Sequence, residues 1–396
     1  MRNVFILSAI LIIAMVVFNA CTEKPIDDPN GPGNGSMNNP FKVATVEDLK
    51  RVGTGEIGPG ELAWGRDKHY KQIANIDLSG ISNWTPIGSS ASFFTGTYHG
   101  GGYTISNLTI SGSENDRGLF GTVSGTVSNV RLNGVSITGK NNVGCVAGTL
   151  QSHGIIEYCS VNNIEIYARW SVGGIAGNVC INALVNSCIV AGGTVNGTGT
   201  VNIDALSGGV AGTNSGTIKN CYATIDVNGI EKVGGIAGSN TGNGTLQYCY
   251  ATGNVTSNTR NVGGIAGDNS GKIQNCVALN SEVKRQSASS SYTAPNAGRI
   301  TGNNFNAGTL SNNYARYNMA LKEGGAEEEI PLGTESTPTG IHGADVLEAD
   351  YHGANSDIWW NSVAGFAASA WLFDAYRLPW LKGFEGVMQN PKVINN

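Results

Sequence analysis

The chain has 396 residues, of which 57 are glycine, 13% are charged and 40% are hydrophobic. That apolar share can bury a core, which excludes a disordered polyampholyte. A net charge of -5 without basic runs argues against a nucleic-acid partner.

Residues 1–20, MRNVFILSAILIIAMVVFNA, place one basic residue, Arg2, before an apolar stretch over 4–18. This is signal-peptide patterning, and the run is too short for a comfortable membrane span. Its end at Ala20-Cys21 resembles the bacterial lipobox, with Phe18 where leucine is usual. The resemblance implies cleavage, lipidation of Cys21 and an anchor in outer-membrane lipid; removing Arg2 takes the charge from -5 to -6. The alternative is a soluble secreted protein. Residues 21–40 are polar and rich in Pro, Gly and Asn, and read as a flexible tether. Asp27-Asp28 resembles surface-export signals of some Gram-negative lipoproteins, which implies display at the cell surface.

Residues 41–115 are expected to hold an N-terminal cap and the first coil of a repeat array. NPFKVATVEDLKRVG offers a helix with Thr45 as N-cap, Asp48 three positions on and Gly53 as the stop. HYKQIANIDLSG follows as a strand. The helix is expected to cover the open end of the stack, because a bare end invites edge pairing.

Residues 116–320 repeat. Aligned on the last glycine of a G-x-x-x-G line, the anchors are Gly121, Gly148, Gly177, Gly212, Gly238, Gly267 and Gly302, spaced 27, 29, 35, 26, 29 and 35. A second line follows each anchor, as in GIIEYCSV, GTIKNCYA and GTLQYCYA. A third, looser line alternates. All are short runs of β-branched and small residues bounded by Gly, Asn and Ser, which is strand and turn chemistry. Three short strands per repeat predict an all-β fold: a parallel β-helix of about seven to eight coils, with coils stacked about 4.8 Å apart. There is no leucine ladder and no repeating Trp-Asp. The glycines are assigned to coil corners with left-handed or strained backbone. A dinucleotide loop is the alternative, but no helix follows the line and it recurs.

Cys159, Cys188, Cys221, Cys249 and Cys276 share one position of the second line, filled by Leu108 and Val130 earlier and by Asn313 last. A position that accepts Val, Leu or Cys faces the core, where a thiol behaves as a small hydrophobe. In-register coils would stack these side chains into a ladder of free thiols. Parallel Cβ vectors keep neighbouring thiols beyond disulfide range, and a single column cannot close a zinc tetrahedron.

Two repeats carry a surplus, at 191–206 (AGGTVNGTGTVNIDAL) and 284–296 (KRQSASSSYTAPN). Equal placement within the repeat predicts two loops on one edge, three coils or about 14 Å apart. Lys284, Arg285 and Tyr292 are their strongly interactive side chains and the candidate ligand-binding residues; the alternative is a pair of tolerated insertions. Residues 321–357 read as a polar connector containing Glu327, Glu328 and Glu329. Residues 358–396 read as a cap segment, whose Trp359, Trp360, Trp371, Phe373, Tyr376 and Trp380 are expected to close the end of the stack or else to meet sugar rings.

The repeat line, with GLFG at 118–121, resembles the GLUG motif family. IDLSGISNWTPIG and GTYHGGGYTISNLTI resemble its N-terminal flank, and SDIWWNSVAGFAASAWLFDAYRLPWLKG its C-terminal flank, so the resemblance covers about 39–383. GLUG repeats occur in adhesin-type bacterial surface lipoproteins and beside the metallopeptidase domain of immunoglobulin-A-cleaving enzymes. The resemblance therefore implies a cell-surface repeat protein. It transfers no catalytic residue, and none of the five histidines sits in HExxH. His342 and His352 lack carboxylate partners nearby and read as surface residues rather than metal ligands. The acids Glu157, Glu165, Asp204, Asp226, Glu231, Asp268 and Glu282 share no repeat position, so no catalytic stripe is expected. The expectation is an adhesin-like protein without catalysis, metal or cofactor, binding an extracellular protein or glycan. The alternative is a carbohydrate-active enzyme or polysaccharide-capture lipoprotein on the same scaffold.

Overall fold

A computed structural model describes residues 31–200, 205–287, 296–324, 328–329, 336–384, 389 and 391–392. Cys21 and the 1–20 segment lie outside the described residues. Among those described, no helix is long and apolar enough to cross a membrane.

Short β-branched lines become strands, and each line pairs with its own copy one repeat later. The second lines build a sheet of ten parallel strands, from Phe41–Val43 to Thr309–Ser311. The anchor lines build a parallel sheet of seven, from Phe120–Val123 to Thr301–Asn304. The third lines, with strands such as Ser160–Ala168 and Asp226–Gly234, build the remaining wall. Pairing is in register: Val127 faces Ile156, then Val185, Ile218, Leu246 and Ile273. This is a parallel β-helix of ten coils, rather than seven to eight. The array starts at Phe41, so 41–115 contributes three coils instead of one. Its less regular lines hide that: HYKQIANIDLSG is two strands, His69–Gln72 and Ile76–Asp77, on two different walls.

The corners correct the role given to the glycines. The corner before each thiol position is left-handed, yet it holds Asn129, Tyr158, Ser187, Asn220, Tyr248, Asn275 and Asn312, with φ between +51° and +54°. Asparagine is the non-glycine residue that tolerates this conformation best, through local hydrogen bonding. The anchor-line glycines are needed for space. A Cβ at Gly177 would lie 2.3 Å from the Val143 nitrogen, and one at Gly173 would lie 2.4 Å from the Ala211 Cα. Their backbones are not left-handed.

Both ends are closed. At the N-terminal end the helix Val46–Arg51 forms as expected, with a capping box between Thr45 and Asp48 and Leu49 buried. Beside it Trp64 stacks on Phe41 with ring centres 4.7 Å apart, and Tyr70, Phe94 and Phe120 continue the aromatic packing inward. At the other end the stack is closed by 336–346, not by the tryptophan-rich segment. Ala344–Val346 pairs in parallel with Tyr314–Arg316, so part of the supposed connector belongs to the array. Arg299 stands where five of the six earlier repeats have a glycine and one has Cys145. With no further coil above it, its fully buried guanidinium spreads onto the carbonyls of His342, Arg316 and Gly343 and pairs with Asp345 at 2.6 Å.

The aromatic segment lies along the flank. Trp360, Phe366, Trp371 and Leu381 form a second core with the outward-facing Ile189, Tyr222, Tyr250 and Val277. The path runs backwards along the stack: Asn312 donates to the Val363 carbonyl, Asn275 to the Ala364 carbonyl, and the Trp371 indole to Asn220. On this corner the strap buries its aromatics against apolar side chains that the coils themselves leave outward-facing.

Candidate binding surfaces

The thiol column is internal. Cys159, Cys188, Cys221, Cys249 and Cys276 are fully buried and free. Each thiol donates to the carbonyl two residues earlier at 3.1–3.4 Å. Burial pushes Cys159, Cys188, Cys221 and Cys276 well above the usual thiol range, so none is a ready nucleophile. Asn313 ends the column: its amide accepts from the Cys276 N–H at 3.0 Å and donates to the Ile273 carbonyl at 2.8 Å.

A second internal ladder escaped the sequence reading. Asn214 donates to Asn240 at 2.8 Å, Asn240 to Asn269 at 2.7 Å, and Asn269 to Asn304 at 2.7 Å. The first three are fully buried. Its signal was legible, since AGTN, AGSN, AGDN and TGNN each end an anchor line on asparagine.

The surplus segments leave the coil later than expected. The strand Ile189–Gly197 pairs with Ser160–Ala168 and the Thr198 N–H still donates to the Ala168 carbonyl, so the chain follows the wall to Thr198; 201–204 lies outside the described residues. The strand Glu282–Arg285 is likewise in the wall, and the Gln286 N–H still donates to the Ser257 carbonyl; 288–295 lies outside the described residues. Both gaps fall between a third line and the next anchor line, whose Leu206 and Ala297 resume the pairing. The candidate residues do not come together there. Tyr292 lies outside the described residues. Arg285 is buried and paired with Glu323, because strand alternation turns Val283 and Arg285 inward. Lys284 faces outward and is half-buried, in register between Thr256 and Lys322.

The acids bind neighbouring coils together. The buried Glu231 pairs with Arg260 at 2.9 Å, Glu282 with Lys322 at 2.8 Å, and Asp268 with Lys232 at 3.6 Å while accepting from Asn261 at 2.6 Å. Burial raises the Asp268 carboxyl above its ordinary range. His342 is buried under the terminal closure rather than on the surface, whereas His352 is exposed. Burial, and then Arg299, hold the His342 imidazole down to about 4.

Two clefts open side by side at the N-terminal end, with Gly53 and Thr54 common to both. One, of about 310 Å³, is bounded by Lys50, Asn83, Trp84 and Thr85. The other, of about 490 Å³, is bounded by Arg66, Asp67, Ser92, Phe93 and Thr95.

Comparison with known proteins agrees with the architecture. Residues 205–228 and 231–256 match the GLUG motif. The chain is 36% identical over 129 residues to halomucin of Haloquadratum walsbyi, a stretch that is 30% of this chain and 1% of that protein. It is 30% identical over 173 residues to a "Putative Gly-rich membrane protein" of Evansella cellulosilytica, covering 40% of this chain and 19% of the relative. The chain thus spans a small part of the curated relatives it matches. A crystal structure described as a "putative immunoglobulin A1 protease" from Bacteroides ovatus superposes with a TM-score of 0.55 at 21% identity, over 88% of this chain and 94% of that one. At that identity the likeness concerns the fold. The chain thus carries the GLUG motif at residues 205–228 and 231–256, within a repeat array built as a parallel β-helix.

Proposed function

We propose that the chain is a lipid-anchored cell-surface protein, held by Cys21 in outer-membrane lipid, whose β-helix presents an adhesin-like binding surface to an extracellular protein or glycan. One observation carries the reading. The outer side of the ten-strand wall repeats a polar side chain once per coil: Ser128, Glu157, Asn186, Lys219, Gln247, Gln274 and Ser311 stand in one register column. A rigid array with regularly spaced polar groups suits an extended partner. Glu231, Asp268 and Glu282 are engaged in structural pairs between coils, which supports binding rather than catalysis. The curated relatives, halomucin and a "Putative Gly-rich membrane protein", support a location at the cell surface.

The test has two arms. Cys21→Ser should move the protein from the membrane fraction to the soluble fraction; a variant that still pellets with membranes overturns the anchor. Cells displaying the wild-type chain should adhere to a host-matrix or glycan array, and cells lacking it should not. Equal adhesion by both overturns the display reading.

A further inference from the structure

We propose that the larger N-terminal cleft is a binding site for a neutral oligosaccharide, with Phe93 as the stacking platform and Arg66 and Asp67 as the hydroxyl-reading pair. This deepens the display reading by assigning a ligand class and a place, and it rests on that reading.

The chain spends structure on exposing Phe93. Ser89 and Ser92 close a tight turn by donating to each other's carbonyls at 2.9 and 3.0 Å. Beyond the turn, Phe94 is fully buried in the aromatic core, while Phe93 turns outward and is 36% exposed. The opposite wall is tied to this one. The Arg66 carbonyl accepts from the Thr95 and Gly96 N–H groups at 3.0 and 2.7 Å, which fixes the position of Arg66 relative to Phe93. Arg66 reaches its place across Gly53, which has φ +75°; a Cβ there would lie 3.3 Å from the Arg66 Cγ. Arg66 and Asp67 are exposed, and the Asp67 carboxylate pairs with Lys68 at 3.5 Å.

These groups complement a pyranose. Its C–H face stacks on an aromatic ring, as apolar groups do on the electron-rich face of a π-system. Its rim carries adjacent hydroxyls that both donate and accept. A guanidinium fork supplies paired donors and a carboxylate supplies paired acceptors. The Ser92 hydroxyl adds a group of either role, and the Thr95 hydroxyl, which donates to the Arg66 carbonyl at 3.3 Å, adds an acceptor. A cation beside an anion suits a neutral sugar better than an acidic one, which would meet Asp67. The cleft is open and about 490 Å³, a ligand-pocket size that suits a short stretch of a chain entering from the end of the rod.

The test is calorimetric titration of the full chain with cellohexaose, xylohexaose, mannohexaose, maltohexaose and chitohexaose. At least one should bind. Phe93→Ala should weaken it by about tenfold, and Phe93→Trp should retain it. Asp67→Asn should weaken it by about threefold. Thermal midpoints should match the wild type, since all the altered side chains lie at the surface. Binding that Phe93→Ala leaves unchanged overturns this site while the display reading stands, with its surface elsewhere. No binding of any hexasaccharide by the wild type also overturns the site, and cell adhesion then judges the display reading independently.

Discussion

The Tyr250 hydroxyl donates a 2.7 Å hydrogen bond to the Pro379 carbonyl, joining the eighth coil to a segment 129 positions further along the chain. Tyr222, stacked on Tyr250 with ring centres 4.9 Å apart, makes the matching bond to Gln389 at 3.2 Å. Stacked coils alone make only neighbour contacts. The strap also ties coils that do not touch one another, since Asn312 and Asn220 both bond to it.

Removing that bond should cost accordingly. Tyr250→Phe leaves a buried carbonyl without its donor, a loss of about 1–3 kcal/mol. Trp371→Ala empties the centre of the strap core and should cost about 3–5 kcal/mol. Limited proteolysis of Trp371→Ala should cut within 347–384 first and leave the coils resistant. Simultaneous loss of coils and strap would mean that the strap is integral to the array.

The thiol column should be inert until the chain unfolds. Iodoacetamide followed by peptide mass analysis should label the half-buried Cys180 before Cys221, Cys249 or Cys276, and label all of them in denaturant. Cys249→Ser should cost about 1–3 kcal/mol, because its hydroxyl enters an apolar column. Paired loss of two protons at these residues in the untreated protein would show disulfides and end the ladder argument.

The asparagine ladder predicts an unequal response to substitution. Asn240→Ala strands the Asn214 donor and the Asn269 acceptor together, which should cost about 2–4 kcal/mol. Asn304→Ala, at the exposed end of the ladder, should cost less, since water can replace it. Urea midpoints of the two variants decide the point, and equal losses would contradict the ladder.

His342 predicts an acid-sensitive terminal closure. Its folded-state pKa of about 4 lies below the ordinary 6.5, so folding excludes a proton that the unfolded chain takes up. Its contribution is fully present above pH 6.5 and is lost as pH falls towards 4, by at most about 3 kcal/mol. Urea unfolding at pH 7 and pH 4.5 should show a smaller difference for His342→Gln than for the wild type. An unchanged difference would place the acid sensitivity elsewhere.

The sequence by itself determined the walls. A strand that must pair with its own copy repeats its side-chain pattern, so GGIAG and the thiol column were legible as one coil written many times. The Thr45–Asp48 capping box was equally legible, because a helix cap is settled within a few residues. Only the tertiary structure decided what depends on neighbours in space. Glycine's two uses, left-handed backbone and close approach, look the same in a sequence; the Gly177 clearance and the Asn220 dihedral separate them. Arg285 read as an exposed cation, but alternation along the strand turns it inward to Glu323. The C-terminal aromatics announced burial without saying against what, and the bare corner beside Tyr222 and Tyr250 exists only once coils are stacked. The cleft between Arg66 and Phe93 had no signal in sequence, since the two are brought together by backbone bonds across coils, and those bonds depend on no side-chain identity.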